Sequence, residues 1–571
     1  MKFLEVAEVF EKIESKSGRI EMAELLAKLF KKMNADEAER VAYIIQGELL
    51  PPYMGVDIGI GEKFVLQAIA NASGFSRKEV EGEYAKLGDL GKTAEKLIGQ
   101  KKQRSLHSED LTIVYVYSVL MKIAQMSGTG SQEGKIKRLV ELLNNAKPVE
   151  AKYIVRFVMN QLRLGVRVST LLDALSMSAK GDKSLKPDLE RAFNLCSDIG
   201  YVAKEFKKSP KKIKKFKIEI FKPVMPALAE RLPNSAEILK KIGECAAEQK
   251  YDGFRMSIHK KEKRVEIYSR RLEKITHSYP DIVHAAEKVK AKNIIFEGEA
   301  LAYNEKEKKF YSFQETMHRR RKYGIKEAKE KYPLRLFVFD IQYLNGKDYT
   351  TKPYAERRKE IEKMFSKKGM LVPSGMRIVK EAKELDRLFH EAVKEGLEGV
   401  IAKDLKAPYT AGARKFAWIK LKKSYGKEVD TVDAVIMGYF RGSGARSKFG
   451  FGGLLTAVYN EKTGRFETIA KVGSGFTEEE MKSFRKELEK LETKEPPKDL
   501  DYELKPHYWV KPKIVVEIAF DNITKSPTHT CGKEKGKGYA LRFPRFMRIR
   551  DDKSPKQSTT TKEIVEMYRM Q

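Results

Sequence analysis

The hydrophobic period of this chain changes once, near residue 210, and that change limits the possible fold more than any single residue does. Before it, apolar residues recur at helical spacing: Phe3, Val6, Ala7, Phe10 and Ile13, then Met22, Leu25, Leu26, Leu29, Phe30 and Met33. Steps of three and four put them on one helix face. The segment AKYIVRFVMNQLRLGV (151–166) repeats the pattern. After the change come strand-like runs: VEIYS (265–269), NIIFEGEALAY (293–303), LRLFVFDIQYL (334–344), GVIAK (399–403) and AWIKLK (417–422). Helix-like stretches at 354–365 and 381–395 interleave with them. From about 428 the reading is mostly β with Gly-rich turns, closed by a short helix at 561–570. Two periods in one chain predict separate domains: all-α over 1–215, α+β over 216–427, and a small barrel of the OB type over 428–571.

A length of 571 residues agrees with several domains. Lys+Arg exceeds Asp+Glu by 113 − 80, or +33. A surplus of that size attracts a polyanion, and nucleic acid leads the candidates. KKSPKKIKKFK (207–217) reads as a linker that can lie along a phosphate backbone; such runs also serve simply as solvated faces. In SGTGSQEGK (127–135) a helix is expected to begin near Ser131, either as an ordinary start or as a phosphate seat. Three distant cysteines, Cys196, Cys245 and Cys531, supply neither a disulfide framework nor a four-cysteine zinc site, and favour a reducing, cytoplasmic setting. The chain has no run of about 18 apolar residues, so no membrane span is expected. Gly91-Lys92-Thr93 resembles the end of a P-loop, but Lys86 stands where the first glycine is required, in a helical context.

The chemistry gathers around KYDGFR, with Lys250 two residues ahead of Asp252-Gly253. Downstream come SRR with Arg270, EGE with Glu299, FVFD with Phe339, LEGVIAK with Glu398, YTAGARKF with Arg414, WIKLKK with Lys420 and Lys422, and RIRDDK with Arg550 and Lys553. Residues i and i+2 of a strand share a face, so Lys420 and Lys422 point together. Two ammonium groups side by side call for an anion between them, which a nucleotide phosphate supplies.

The order KYDGFR, SRR, EGE, FVFD, LEGVIAK, WIKLKK, LRFPRFMRIRDDK resembles the ATP-dependent DNA ligases of the archaeal and eukaryotic replicative type over nearly the whole chain. QLRLGVRVSTLLDAL (161–175) resembles that family's helical DNA-binding domain. The resemblance implies a DNA-binding domain, a nucleotidyltransferase (adenylation) domain and an OB domain. It also implies nick sealing in replication, repair and recombination, with ATP as substrate, Mg²⁺ as cofactor, nicked duplex DNA as partner and a monomeric enzyme.

By the same resemblance, Lys250 takes AMP as a phosphoramidate. Glu248 meets the adenine amino group and Phe339 stacks on the base. Glu299 contacts ribose or metal. Arg255, Arg270 and Arg414 hold sugar and phosphate, Lys420 and Lys422 the phosphate, and Glu398 the metal. Arg550 and Lys553 orient pyrophosphate. The sliding clamp stays an open partner, because QRSLH (103–107) lacks the aromatic pair of the clamp-docking segment. Another lysine nucleotidyltransferase, acting on RNA, and a non-catalytic DNA-binding scaffold are the competing readings. The long helical N-terminus argues against the first; Lys250 with its carboxylates argues against the second.

Overall fold

The computed structural model describes residues 1–570 except 102–109, 305, 306, 308, 312, 320–323, 423–429 and 443–448, and all their side chains except those of 313, 314, 414 and 570. QRSLH therefore lies outside the described residues. The chain forms two compact units. One is Met1–Glu230, Leu239–Leu385 and Ile401–Lys420; the other is Arg231–Ile238, Asp386–Val400 and Leu421–Gln571.

Among the described residues, twelve α-helices run between Phe3 and Lys208. The helix Phe3–Glu14 buries Phe3, Val6, Ala7, Phe10 and Ile13, the stripe seen in the sequence. It joins a continuous apolar core that extends to Phe206 and Ile213. Asn34 with Glu37, and Ser76 with Glu79, close helix starts as capping boxes. The segment 151–166 departs from the expected helix. The helix Pro148–Val158 stops there, since Asn160 and Arg163 take left-handed φ of 53° and 58°. A helix does run from Ser131 to Asn145, preceded by Gly130 at φ 78°. The lysine-rich linker continues the helix to Lys208 and then forms a short 3₁₀ turn, Pro210–Lys215. Buried Ile213 anchors it, while the lysines on either side stay exposed. At Gly91-Lys92, Asp89 caps the helix Leu90–Gly99 and accepts both N–H groups, so the amides a P-loop would offer to phosphate are already used.

The central strands are β1 (Leu228–Arg231), β2 (Cys245–Lys250), β3 (Phe254–Lys261), β4 (Arg264–Ser269), β5 (Asn293–Asn304) and β6 (Lys309–Phe310). They continue with β7 (Leu334–Leu344), β8 (Lys347–Asp348), β9 (Leu371–Pro373), β10 (Met376–Val379), β11 (Gly399–Asp404) and β12 (Arg414–Lys422). Among the described residues one sheet has the order β1-β12-β11-β2-β10 and the other β4-β3-β5-β7-β8, with β6 on β5 and β9 on β7. Met256, Ile258, Ile267, Phe296, Leu336 and Ile361 belong to the core of the second sheet. Consecutive strands β2 and β3 thus lie in different sheets, and so do β9 and β10.

The C-terminal region is a curled sheet built on Thr431–Phe440, Gly453–Asn460, Arg465–Val472, Val515–Ala519 and Arg545–Ile549. One addition to the β reading is the helix Glu478–Glu489, which buries Met481, Phe484 and Leu488. Its apolar residues fall three and four apart, so tertiary packing has a face to use. All three cysteines are buried and unpaired. Among the described residues no helix is long and apolar enough to cross a membrane.

Candidate functional site

Lys250 is the last residue of β2 before the chain changes sheets. Cys245 to Glu248 are buried; Gln249 and Lys250 emerge to half-buried positions. The change of sheet needs Gly253. A Cβ there would stand 2.3 Å from the Ala300 carbonyl oxygen and 2.6 Å from Leu301 Cδ1. Glycine lets the loop after Lys250 lie against β5 beside Glu299. Glu299 is paired in register with Arg255 of β3. The second crossing, between β9 and β10, meets the first. The Gln249 N–H donates to the Gly375 carbonyl at 3.1 Å, and the Gly375 N–H donates to the Tyr251 hydroxyl at 3.1 Å. The Tyr251 ring stacks on Phe337 at 4.1 Å between centroids. Backbone bonds and a stacked ring therefore fix the strand end that carries the lysine.

Glu248, two residues before it, is 2% exposed. Its Oε1 accepts from the Tyr354 hydroxyl and lies 2.9 Å from Lys403 Nζ. Its Oε2 accepts from the Ser374 hydroxyl at 2.8 Å. Arg358 in turn donates to the Ser374 hydroxyl and carbonyl at 2.9 and 2.8 Å. Lys403 also donates to the Phe339 carbonyl at 2.9 Å. Its ammonium lies 4.5 Å from the Trp418 ring centre, 4.7 Å from Tyr354 and 5.0 Å from Phe339. Burial pulls the Lys403 pKa down, against the pull of Glu248 and Asp340.

Arg255 faces the same aromatic pair, with its guanidinium 5.2 Å from Phe339 and 5.5 Å from Trp418. It donates twice to Glu297, at 3.0 and 2.7 Å, and to the Ala227 carbonyl at 2.7 Å. Tyr409 and Gln342 also donate to Glu297, at 2.6 and 2.7 Å. Burial works against the charge on Arg255, but Glu297 outweighs it and raises the pKa. Asp340, the aspartate of FVFD, is held by fully buried Arg357 at 2.7 Å.

The structure thus brings together Glu248, Phe339 and Arg255, with Lys250 at the end of the strand that carries Glu248. Lys420 is half-buried on β12 and shares by alternation the face of Trp418. Glu299 is half-buried and Arg270 exposed just past β4. Arg414 opens β12, but its side chain lies outside the described residues.

The remaining sequence candidates belong to the second unit. There Lys422 Nζ is 2.8 Å from Glu398 Oε2, so this lysine has a carboxylate partner of its own. Arg550 donates to both Asp433 oxygens at 2.9 Å and to Asp552, while Lys553 donates to Asp433 at 2.7 Å.

Around Glu248 and Arg255 a wall of Lys403, Tyr354, Ser374, Glu297, Tyr409 and Trp418 escaped the sequence reading. Two carried a signal. Glu297 interrupts the apolar run IIFEGEALAY, and Lys403 ends the apolar run GVIA. A charge inside a buried strand implies a partner.

Among the described residues no group of three or more His, Cys, Asp or Glu gathers as a metal cage. Glu299 in the first unit and Glu398 in the second each offer the hard oxygen donors that Mg²⁺ takes, and that ion commonly needs only one or two carboxylates beside substrate phosphates and water. The donor chemistry fits a metal that arrives with the nucleotide.

Three family models match the chain. They are described as DNA ligase N terminus over residues 2–176, ATP dependent DNA ligase domain over 226–422, and ATP dependent DNA ligase C terminal region over 447–553. A protein named "Probable DNA ligase" from Dictyoglomus turgidum is 48% identical, covering 100% of this chain and 98% of its own. A "DNA ligase" from Sulfurisphaera tokodaii is 42% identical, with coverages of 100% and 98%. The solved structure named Pmar-Lig_PreS3 superposes with a TM-score of 0.58 at 18% identity, covering 95% of this chain and 98% of its own, a likeness of fold.

Proposed function

The chain belongs to the ATP-dependent DNA ligase family, and from that premise we propose that it seals nicks in duplex DNA through covalent chemistry at Lys250. The neutral Nζ attacks the α-phosphorus of ATP, the bond to the β-phosphate oxygen breaks, and pyrophosphate leaves. The resulting lysyl-AMP passes its AMP to the 5′-phosphate at a nick. The adjacent 3′-hydroxyl then attacks that phosphate and AMP departs. The observation that carries this reading is Lys250 at the crossing of two sheets, two residues after Glu248 on the same strand, where Glu248 belongs to a wall with Lys403, Phe339 and Arg255.

The attacking form is the neutral amine, which free lysine adopts in only about one molecule in a thousand near pH 7. Lys420 and Lys422 neutralise the phosphate under attack. Glu248 receives the adenine amino group and Phe339 stacks on the base. Arg255, Arg270 and Arg414 hold sugar and phosphate. Glu299 and Glu398 would hold Mg²⁺, which supplies charge neutralisation at the phosphates. Arg550 and Lys553 orient the departing pyrophosphate.

The functional domains we propose are 1–215 for DNA binding, 216–427 for adenylation and 428–571 for the barrel. The enzyme acts as a monomer inside the cell, in replication, repair and recombination. The +33 charge supports DNA binding that weakens steeply with salt.

The test is uptake of α-labelled ATP by purified protein, then chase with nicked duplex. Label should appear on Lys250 and leave as the nick closes. Lys250→Ala should bind nicked DNA yet take no label. Covalent AMP on that variant would sink the assignment.

A further inference from the structure

The donors around Glu248 all point the same way. Lys403 has no acceptor lone pair, so it donates. Arg358 donates to the Ser374 hydroxyl, which commits that hydroxyl's own proton to Glu248. The Tyr354 hydroxyl donates as well. A carboxylate has about four lone-pair sites. Among the described residues Tyr354 and Lys403 take two on Oε1, and Ser374 takes one on Oε2. One acceptor site on Oε2 is left over. Glu248 is held as an acceptor with no proton to give.

We propose that Lys403, with Tyr354 and Ser374, is a positioning residue that sets base specificity: it holds Glu248 as a hydrogen-bond acceptor for a purine bearing a 6-amino group and against one bearing a 6-carbonyl. This rests on the reading that Glu248 faces the base. A 6-amino N–H meets a lone pair. A guanine carbonyl would set oxygen against oxygen in a dry wall, where an unpaired polar group is costly. Without Lys403 the carboxylate loses its buried counter-charge and one of the donors that fix it, so it turns and its preference for an N–H weakens.

The experiment compares initial rates of covalent nucleotide uptake from ATP, GTP and purine riboside triphosphate, which lacks the 6-substituent. The variants are Lys403→Met, Tyr354→Phe, Glu248→Gln and the Lys403→Met/Glu248→Gln double. Wild-type protein should prefer ATP over the unsubstituted purine. Lys403→Met should lower that ratio about tenfold, the size expected for losing one charge-assisted hydrogen bond, and should raise GTP relative to ATP. Tyr354→Phe, which keeps the ring, should move the ratio the same way by less. In the Glu248→Gln background Lys403→Met should not move it further.

Equal use of ATP and the unsubstituted purine by wild-type protein would remove the Glu248 reading itself. A wild-type preference that Glu248→Gln erases but Lys403→Met and Tyr354→Phe both leave intact would overturn the role of Lys403 alone. So would a Lys403→Met effect of equal size with and without Glu248. Should Lys403→Met not fold, Tyr354→Phe decides.

Discussion

Two arginines that the sequence reading assigns to the nucleotide are covered to nearly the same extent but are held by different kinds of partner. Arg255, 13% exposed at its side chain, is fixed by Glu297, itself 2% exposed, and by carbonyl, tyrosine and aromatic contacts. Arg550 shares Asp433 with Lys553 and reaches Asp552, whose side chain is 64% exposed. The first arginine is part of the wall: its geometry exists before any ligand arrives. The second is held by two carboxylates, Asp433 at 11% exposure and Asp552 in solvent. Both arginines rest on a covered carboxylate, but Arg550 also has a second, solvent-exposed one in Asp552.

Several outcomes would break or sharpen that contrast. The largest concerns histidine. Burial lowers the His259 pKa from 6.5 to about 3. The unfolded chain then binds the proton first, so the stabilisation is full above about pH 6.5 and is lost as pH falls toward 3. At the low end this amounts to about 5 kcal/mol. In the second unit His529 falls only to about 4 by the same burial, which gives about 3 kcal/mol over a narrower window. Acid should therefore cost the unit with the buried wall more, read as separate melting transitions at stepped pH; His259→Asn should flatten the first.

Next comes Glu297→Gln, which leaves Arg255 without its counter-charge. Breaking such a buried pair costs about 3–5 kcal/mol. The denaturant midpoint should drop accordingly and hardly respond to salt. The smallest effect is Asp433→Asn. It should shift the midpoint less, because Arg550 keeps Asp552 and the Lys553 side chain is 31% exposed. If Asp433→Asn destabilised the protein as much as Glu297→Gln, the contrast between an arginine with one carboxylate partner and an arginine with two would be lost.

Much of this molecule is legible before any coordinates are available. The stripe Phe3 to Ile13 becomes a helix buried on that face, and 334–344 becomes a strand, because local periodicity decides which residues can be buried together. The motif order leads to the ligase family because each motif is a short, local pattern. The end of the helix at Val158 is not legible in the same way, since left-handed backbone at Asn160 and Arg163 leaves no mark in apolar spacing.

Other features arise only in three dimensions. That Lys250 lies where the chain leaves one sheet for another follows from strand pairing between segments far apart in sequence. Nothing near Glu248 in sequence shows that Tyr354, Ser374 and Lys403 converge on its carboxylate. Nor does KYDGFR show that its arginine belongs to Glu297, or RIRDDK that its cations belong to Asp433. Composition and period set which residues are buried. The partners of buried charges are set by long-range packing, because each must find an opposite group wherever the fold brings one.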